Sequence, residues 1–202
     1  MKTRITGDIP LGLTYSQIRP FIQTGSCIMW KGRSTFAKLI RWKSDFTHAS
    51  LCVRLGQYKK LADRVFLVEA LSTGLELRLL SERINGYNGE AYFMNIDIPI
   101  EIQNKLREFA LIQCSKNIPY DYRGLFANVF GRVVPEAKAY FCSEFVWRAW
   151  EVNGLVKKRD VVPRPDDLIE WTGSSLTHIL KDEPELKNEK EKEPYERIPN
   201  LI

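Results

Sequence analysis

Cys142 stands where an aromatic, strand-like run turns into an amphipathic helix, in the stretch AYFCSEFVWRAW (residues 139–150). Apolar residues recur after it at helical spacing, which predicts a helix over 143–152 that ends at Asn153 and Gly154. The unpaired backbone N–H groups at a helix start favour a thiolate and lower the ordinary thiol pKa of about 8.5. Cys142 is therefore a candidate nucleophile. The alternative is that it is a small buried hydrophobe in an aromatic run.

A nucleophilic thiol needs a base, and the chain contains two histidines. His48 begins the predicted strand HASLCVRL, which would mount its imidazole rigidly, whereas His178 lies near the C-terminal tail. Glu69 interrupts the apolar strand RVFLVEAL, where a carboxylate needs a partner to be tolerated. Glu69 is thus the candidate that orients the His48 ring. The alternatives are that His48 is a capping or surface residue and that Glu69 lies on the solvent face of an edge strand, although leucines share its face.

These residues must be positioned by regular elements, and the hydrophobic pattern predicts several. Apolar or alternating runs predict β-strands over residues 26–30, 48–55, 64–71, 74–80 and 90–98. A helix is predicted over 34–42, and from residue 100 the period changes to that of another helix. One face of this second helix is predicted to carry Ile102, Leu106, Phe109, Ala110 and Ile112. Strands followed by helices indicate an α+β fold.

The length and charge distribution predict one body and a tail. Residues 1–180 form the expected catalytic domain, and residues 181–202 form a charged, proline-containing tail that we expect to be flexible. The chain carries a net charge of +5, while its last 22 residues hold seven acidic and five basic side chains. The body is therefore more basic than the whole, which favours anionic partners such as wall polymers or phospholipid surfaces. The scattered basic residues lack RNA-binding signatures, so no nucleic-acid partner is expected.

The four cysteines do not form a metal or disulfide pattern. Cys27, Cys52, Cys114 and Cys142 contain no CxxC pair, and two histidines give no zinc-ligand spacing. We therefore expect free thiols, no metal and no cofactor. The start of the chain has no continuous apolar run and no stretch is long enough for a spanning helix, so we expect neither a signal peptide nor a transmembrane segment, and a cytoplasmic location.

Five stretches in a fixed order resemble a known family. They are TGSCIMWKG, SDFTHASLCVRLG, FLVEAL, IPYDYRGLF and FCSEFVWRAW, and the segment RPDDL follows them. Together they resemble the circularly permuted branch of the NlpC/P60 superfamily of papain-like cysteine hydrolases, in particular its YiiX/YaeF-like group. The order is the permuted one, because His48 precedes Cys142 by 94 residues. Where that family commonly has a Gly-Asp pair, this chain has Gly25 and Ser26.

The resemblance implies a fold and a set of roles. The fold would be papain-like, with an antiparallel sheet packed against helices and the nucleophile at a helix N-terminus. Cys142 would be the nucleophile, His48 the general base and Glu69 the residue that orients the imidazole. Tyr120 would lie beside the oxyanion site, where its hydroxyl can donate to developing charge.

Three functions remain open from the sequence. The first is an amidase or peptidase that cleaves short or cell-wall-type peptides, as the resemblance implies. The second is an acyl-lipid hydrolase or acyltransferase of the lecithin–retinol acyltransferase-like kind, for which Trp30, Trp42 and Phe46 are expected to be exposed near a basic helix. The third is a non-catalytic binding module, against which the intact candidate residues argue. The expected partner is thus a peptide, murein-peptide or acyl-lipid substrate, and the sequence does not specify an oligomeric state.

Overall fold

Seven β-strands form one sheet in the part of the chain that the computed structural model describes, which comprises residues 12–33, 44–71, 74–116, 141–161 and 163–182. The strands are β1 (Leu13–Thr14), β2 (Cys27–Gly32), β3 (His48–Arg54), β4 (Val65–Leu71), β5 (Gly74–Leu79), β6 (Gly89–Asn95) and β7 (Ser175–Leu180). Their order across the sheet is β1-β7-β6-β2-β3-β4-β5. The short β1 pairs in parallel with β7, and the other neighbours are antiparallel.

Five α-helices accompany the sheet within the same described ranges. They are α1 (Tyr15–Ile18), α2 (Leu80–Gly86), α3 (Ile100–Ser115), α4 (Phe141–Val152) and α5 (Pro165–Thr172). The expected α+β class is confirmed by this mixture of one sheet with helices. The five predicted strands correspond to β2, β3, β4, β5 and β6, with shifts of a few residues at their ends.

One face of the sheet packs against α3, α4 and α5. Successive strand residues point to opposite faces, so Cys27 and Met29 of β2 lie on this face together with Leu51 of β3. The helices contribute a buried stripe to the same cluster, consisting of Leu106, Ala110, Val146, Trp147, Ala149, Trp150, Leu168 and Ile169. We call this side the helical face, and it fixes α4 over the centre of the sheet.

The opposite face carries a second core. Ile28 and Trp30 of β2 and Leu67 of β4 point into it, and α1 and α2 supply apolar residues that cover it. His48 pairs with Trp30 across the β2–β3 ladder, and Ser50 and Cys52 follow on the same side of β3 because the side-chain period is two. We call this side the α2 face.

Gly25 fixes the entry into β2 and the position of α4. Its φ of 95° lies in the left-handed region, and a Cβ there would come within 2.5 Å of Leu106 Cδ1 of α3. The carbonyl of Gly25 accepts a hydrogen bond from Trp150 Nε1 of α4 at 2.8 Å. A residue without a side chain therefore allows α3 to approach while the backbone anchors α4.

Some expectations about single side chains are wrong. Of the five residues predicted to share one face of α3, Leu106 and Ala110 are buried, whereas Ile112 is 43% exposed. Trp30 and Phe46 were expected to be exposed, but both are buried, in the α2 face and the helical face respectively. Trp42 and the predicted helix over 34–42 lie outside the described residues.

Candidate active site

Cys142 lies in the first turn of α4, directly above the start of β3. The helix begins at Phe141, two residues earlier than the sequence pattern predicts, so Cys142 belongs to the helix and does not precede it. Cys142 is 2% exposed, and the backbone N–H groups of Ala49 and Ser143 donate to its sulfur. The nucleophile candidate is therefore held between a helix start and the backbone of a central strand.

His48 is the first residue of β3 and lies between the other two candidates. Its Nε2 is 2.9 Å from Glu69 Oε1, and its ring is also hydrogen-bonded to Cys142. Because Glu69 engages Nε2, Nδ1 is the ring nitrogen that remains for the thiol. The His48 side chain is 16% exposed, so the site reaches solvent at the imidazole.

Glu69 is a wholly buried carboxylate on the α2 face of β4, the strand next to β3. Its Oε1 accepts hydrogen bonds from His48 and from Ser50 Oγ, the latter at 2.9 Å. Arg83 of α2 straddles the carboxylate, because its Nε lies 3.2 Å from Oε2 and 3.4 Å from Oε1. A buried charge is tolerated only with such partners; here Oε1 accepts all the hydrogen bonds, and Oε2 is buried with the Arg83 charge as its neighbour.

The electrostatics favour a thiolate–imidazolium pair. Burial by itself lowers the pKa of His48, but the charges and hydrogen bonds of Cys142 and Glu69 outweigh it and raise that pKa to about 9. Burial by itself raises the pKa of Cys142, and the positive charge and hydrogen bond of His48, with the two backbone donors, bring it below its ordinary value. The two shifts have a common origin, since each charge stabilises the other.

Glu69 stays ionised for the same reason. Burial raises its pKa, but the hydrogen bond and charge of His48, the charge of Arg83 and the hydrogen bond from Ser50 together lower it to about 2. An ionised carboxylate accepts hydrogen bonds and cannot donate one, so Glu69 fixes the proton of His48 on Nε2.

The segment that leads into His48 is tied to the start of α5. Asp166 accepts hydrogen bonds from Ser44 Oγ at 2.8 Å and from the backbone N–H groups of Asp45 and Phe46, at 2.8 and 3.1 Å. Thr47 continues this connection by donating its backbone N–H to the carbonyl of Trp30 at 2.8 Å. The direction in which the chain enters β3, and hence the place of His48, is thereby fixed.

The same turn is tied to the nucleophile. Ser143, the residue after Cys142, is buried and donates from its Oγ to the carbonyl of Pro163 at 2.7 Å. Pro163 and Asp166 lie three residues apart in the RPDDL region, so one short turn holds both the start of α4 and the approach to His48. The sequence identified this segment only by resemblance and did not predict its role.

The structure brings together three of the four predicted site residues. Cys142, His48 and Glu69 form one hydrogen-bonded chain, while Tyr120 lies outside the described residues. His178 takes no part, because it lies in β7 and stacks on Tyr92 with ring centroids 4.9 Å apart.

Sequence reasoning missed three polar residues that support the site, namely Ser50, Arg83 and Asp166. Ser50 carried a signal, because it lies two residues after His48 on the same face of a strand. Arg83 and Asp166 carried none at the level of sequence, since their partners Glu69 and Ser44 lie 14 and 122 residues away.

The pKa of each of the other three cysteines is raised. Burial raises the pKa of Cys27 and of Cys52, and Glu69 adds to the effect at Cys52. Burial also raises the pKa of Cys114 to about 11. All four cysteines are free thiols.

The described ranges contain neither a metal-binding cluster nor a membrane-spanning helix. No three or more His, Cys, Asp or Glu side chains cluster there in a way that could hold a metal ion. No helix in those ranges has the length and apolar character needed to cross a membrane.

Comparison with known proteins shows similarity to solved structures. No protein-family model and no curated protein matches. The chain is similar to the crystal structure of the metalloprotein YiiX from Escherichia coli O157:H7 (DUF1105), with 19% identity and a TM-score of 0.44, and the match covers 81% of this chain and 99% of that chain. YiiX is also a name of the group that the sequence resembles. A likeness at this TM-score carries no information about chemistry, so function has to be inferred from the site itself.

Proposed function

We propose that this protein is a cysteine hydrolase that cleaves amide bonds of short or cell-wall-type peptides through Cys142, His48 and Glu69. One observation carries the proposal: residues 94 positions apart in the chain form a continuous Cys–His–Glu hydrogen-bonded chain at a helix start. A thiol paired with an imidazole that a third group orients is the usual arrangement for nucleophilic catalysis.

The first half of the reaction forms an acyl enzyme. The Cys142 thiolate attacks the carbonyl carbon of the scissile amide, and a new C–S bond forms as the carbonyl oxygen takes up negative charge. The backbone N–H groups beside Cys142 sit where they can stabilise this charge, and Tyr120 is the predicted additional donor. His48, protonated at Nδ1, gives its proton to the leaving nitrogen, and the C–N bond breaks to leave a thioester.

The second half returns the enzyme to its starting state. Neutral His48 takes a proton from a water molecule, and the resulting hydroxide attacks the thioester carbonyl. The C–S bond breaks, the acid product leaves, and the thiolate–imidazolium pair is restored. Glu69 remains ionised throughout and holds the imidazole with Nε2 protonated, so that Nδ1 always faces the sulfur.

The choice of peptide amides rests on the sequence resemblance. The permuted papain-like organisation is part of the same proposal. It is supported by a base on a sheet strand that precedes, in the chain, a nucleophile on a helix packed against that sheet. The cytoplasmic location stays a prediction.

The acyl-lipid alternative has lost two of the three aromatic residues that favoured it. Trp30 and Phe46 were expected to face a membrane with Trp42, and both are buried in the core, while Trp42 lies outside the described residues. The binding-module alternative is disfavoured by the lowered pKa of Cys142 and the raised pKa of His48. Such shifts are typical of catalytic sites, and a site without catalysis gains nothing from a buried charged pair.

A substrate panel tests the proposal. We would incubate the protein with muropeptides and with phospholipid vesicles, and follow products and protein adducts by mass spectrometry. The expected result is peptide cleavage with a transient acyl adduct on the peptide that contains Cys142. Cys142→Ala should abolish both, and Cys114→Ala, the matched control, should retain them. Acyl transfer from phospholipid alone would favour the lipid alternative, and cleavage that survives Cys142→Ala would overturn the proposal.

A further inference from the structure

The carboxylate of Glu69 has two oxygens with different surroundings. Oε1 accepts from His48 Nε2 and from Ser50 Oγ, each at 2.9 Å. Arg83 Nε also donates to Oε1, at 3.4 Å, and lies 3.2 Å from Oε2, which is buried and accepts no hydrogen bond. Besides the imidazole, the buried carboxylate therefore faces a permanent positive charge from a different element, α2.

Arg83 is itself held by two aromatic rings. Its guanidinium carbon lies 5.2 Å from the centroid of the Trp30 ring and 5.0 Å from that of the Tyr87 ring. Trp30 also donates from Nε1 to Ser50 Oγ at 2.7 Å, so one indole supports two of the three partners of the carboxylate, Ser50 and Arg83. A side chain fixed in this way has little freedom to leave Glu69.

Arg83 also lines an open cavity beside the edge strand β5. The cavity has a volume of about 540 Å3, and its other lining residues are Phe66, Leu77, Arg78, Leu79, Glu82 and Gly86. The Arg83 side chain is 24% exposed, whereas that of Glu69 is fully buried. Arg83 therefore contacts both the buried carboxylate and a cavity that is open to solvent.

We propose that Arg83 is a positioning residue that acts through Glu69: it orients the carboxylate towards His48 and sets the pH range in which the Cys142–His48 pair is charged. The relevance of Arg83 to catalysis rests on the proposed function. Its effect on the charge of Cys142 and His48 can be measured without a substrate.

The direction of the effect follows from charge. A fixed positive charge near the site makes every proton there easier to lose, so Arg83 lowers the pKa of each group that it faces. The titratable and charged groups around the set come from β2, β3, β4, β5, α4 and the end of α2, and they are Cys27, His48, Cys52, Arg54, Glu69, Glu76, Arg83, Tyr87 and Cys142. The charge of Arg54 acts on Cys52, whereas Arg83 contacts Glu69.

The test is the pH dependence of Cys142 alkylation by iodoacetamide, with labelling followed by peptide mapping. In the wild type the rate should rise as Cys142 loses its proton and change again as His48 loses its own near pH 9. In Arg83→Met both inflections should move to higher pH by up to about one unit, because a positive charge that opposes protonation has been removed. Arg83→Lys, which keeps the charge, should move them less.

Arg78→Met is the matched control. Arg78 lines the same cavity but pairs with Glu76, at 2.6 Å, and makes no contact with Glu69. In Arg78→Met both inflections of the Cys142 alkylation rate should lie at the same pH as in the wild type. A residue with a merely structural role would lower the fraction of folded protein without moving either inflection, so unchanged inflections in folded Arg83→Met would overturn the proposal.

Chemical rescue gives a second, independent readout. In Arg83→Ala the open cavity leaves a path for a small cation to the vacated position. Added methylguanidinium, well below denaturing concentrations, should return the inflections towards the wild-type positions, whereas tetramethylammonium, which has no N–H donor, should not. No recovery, or equal recovery with both cations, would contradict the role given to the guanidinium.

The outcome is separable from that of the proposed function. If the wild-type protein cleaves nothing but the inflections move as described, the positioning role stands and the hydrolase proposal fails. If cleavage is found and the inflections do not move, the hydrolase proposal stands and the role of Arg83 fails.

Discussion

Cys142 and Cys52 are both buried thiols, yet their surroundings give them opposite chemistry. Cys52 lies within β3 on the α2 face, where burial and the negative charge of Glu69 raise its pKa despite the opposing charge of Arg54. Cys142 lies on the helical side at the start of α4, where His48 and two backbone N–H groups overcome the same penalty of burial. Burial alone therefore makes a thiol inert, and a placed imidazole reverses that effect.

Glu69 has opposite effects on the two thiols. It raises the pKa of Cys52 directly, whereas at Cys142 it acts through His48, whose positive charge it stabilises. A carboxylate thus assists a thiolate only when an imidazole stands between them. The following predictions test this contrast, from the largest expected effect to the smallest.

Replacing the imidazole should remove the difference between the two thiols. In His48→Gln, alkylation of Cys142 at neutral pH should slow by about 100-fold, because the thiol loses its proton acceptor and the stabilising charge. The measurement is the rate of iodoacetamide labelling of the Cys142 peptide. His178→Gln is the control, since His178 stacks on Tyr92 in β7, and a similar loss there would show that the effect is not specific to His48.

Replacing the carboxylate should cost stability as well as reactivity. Glu69→Gln leaves Arg83 and the His48 cation without their buried partner, so we expect a loss of about 3–5 kcal/mol in the free energy of unfolding. Urea denaturation measures it. Glu76→Gln, which breaks the partly exposed pair with Arg78, should cost less than about 1 kcal/mol. Equal losses would mean that burial of Glu69 does not matter.

The pH dependence of the free energy of unfolding is a further test of the role of Glu69. The pKa of Glu69 is lowered to about 2, so its stabilising contribution is complete above the ordinary glutamate pKa and is lost as pH falls towards 2. The wild type should lose about 3 kcal/mol over this range in addition to any loss seen in Glu69→Gln. Parallel pH profiles of the two proteins would contradict the lowered pKa.

The turn at α5 should have the smallest effect on the site. Asp166→Asn removes the charge that holds Ser44, Asp45 and Phe46, and we expect Cys142 labelling to slow by about three- to tenfold because His48 is less well placed. Asp160→Asn, at an exposed position, is the control. A slowing as large as that of His48→Gln would show that the turn does more than position the imidazole.

The sequence predicts those elements whose side-chain period is strong. β2, β3, β4, β5, β6, α3 and α4 were all identified from apolar runs or helical spacing. The short or polar elements were not identified. α2 has only Leu80 and Ile84 as buried residues, and β7 carries Ser175, Thr177 and His178 among its apolar residues, so neither gives a clear period.

The residues of the candidate site also fall into two groups, those that the sequence identifies and those that it does not. Cys142, His48 and Glu69 could be singled out because each is an unusual residue in its local context, such as a carboxylate in an apolar strand. Arg83 and Asp166 are ordinary charged residues in their own segments. Their importance arises from contacts across the fold, with Glu69 and with the approach to His48, which no local pattern encodes.

Limited alkylation of the native protein with peptide mapping of all four cysteines tests the central claim most directly. At neutral pH and low iodoacetamide, the peptide containing Cys142 should be labelled well before those containing Cys27, Cys52 and Cys114, because its pKa alone is lowered among them. Labelling under denaturing conditions should make the four rates similar, which controls for access and peptide recovery. Equal labelling in the native state, or faster labelling of the more accessible Cys114, would contradict an activated thiol at Cys142.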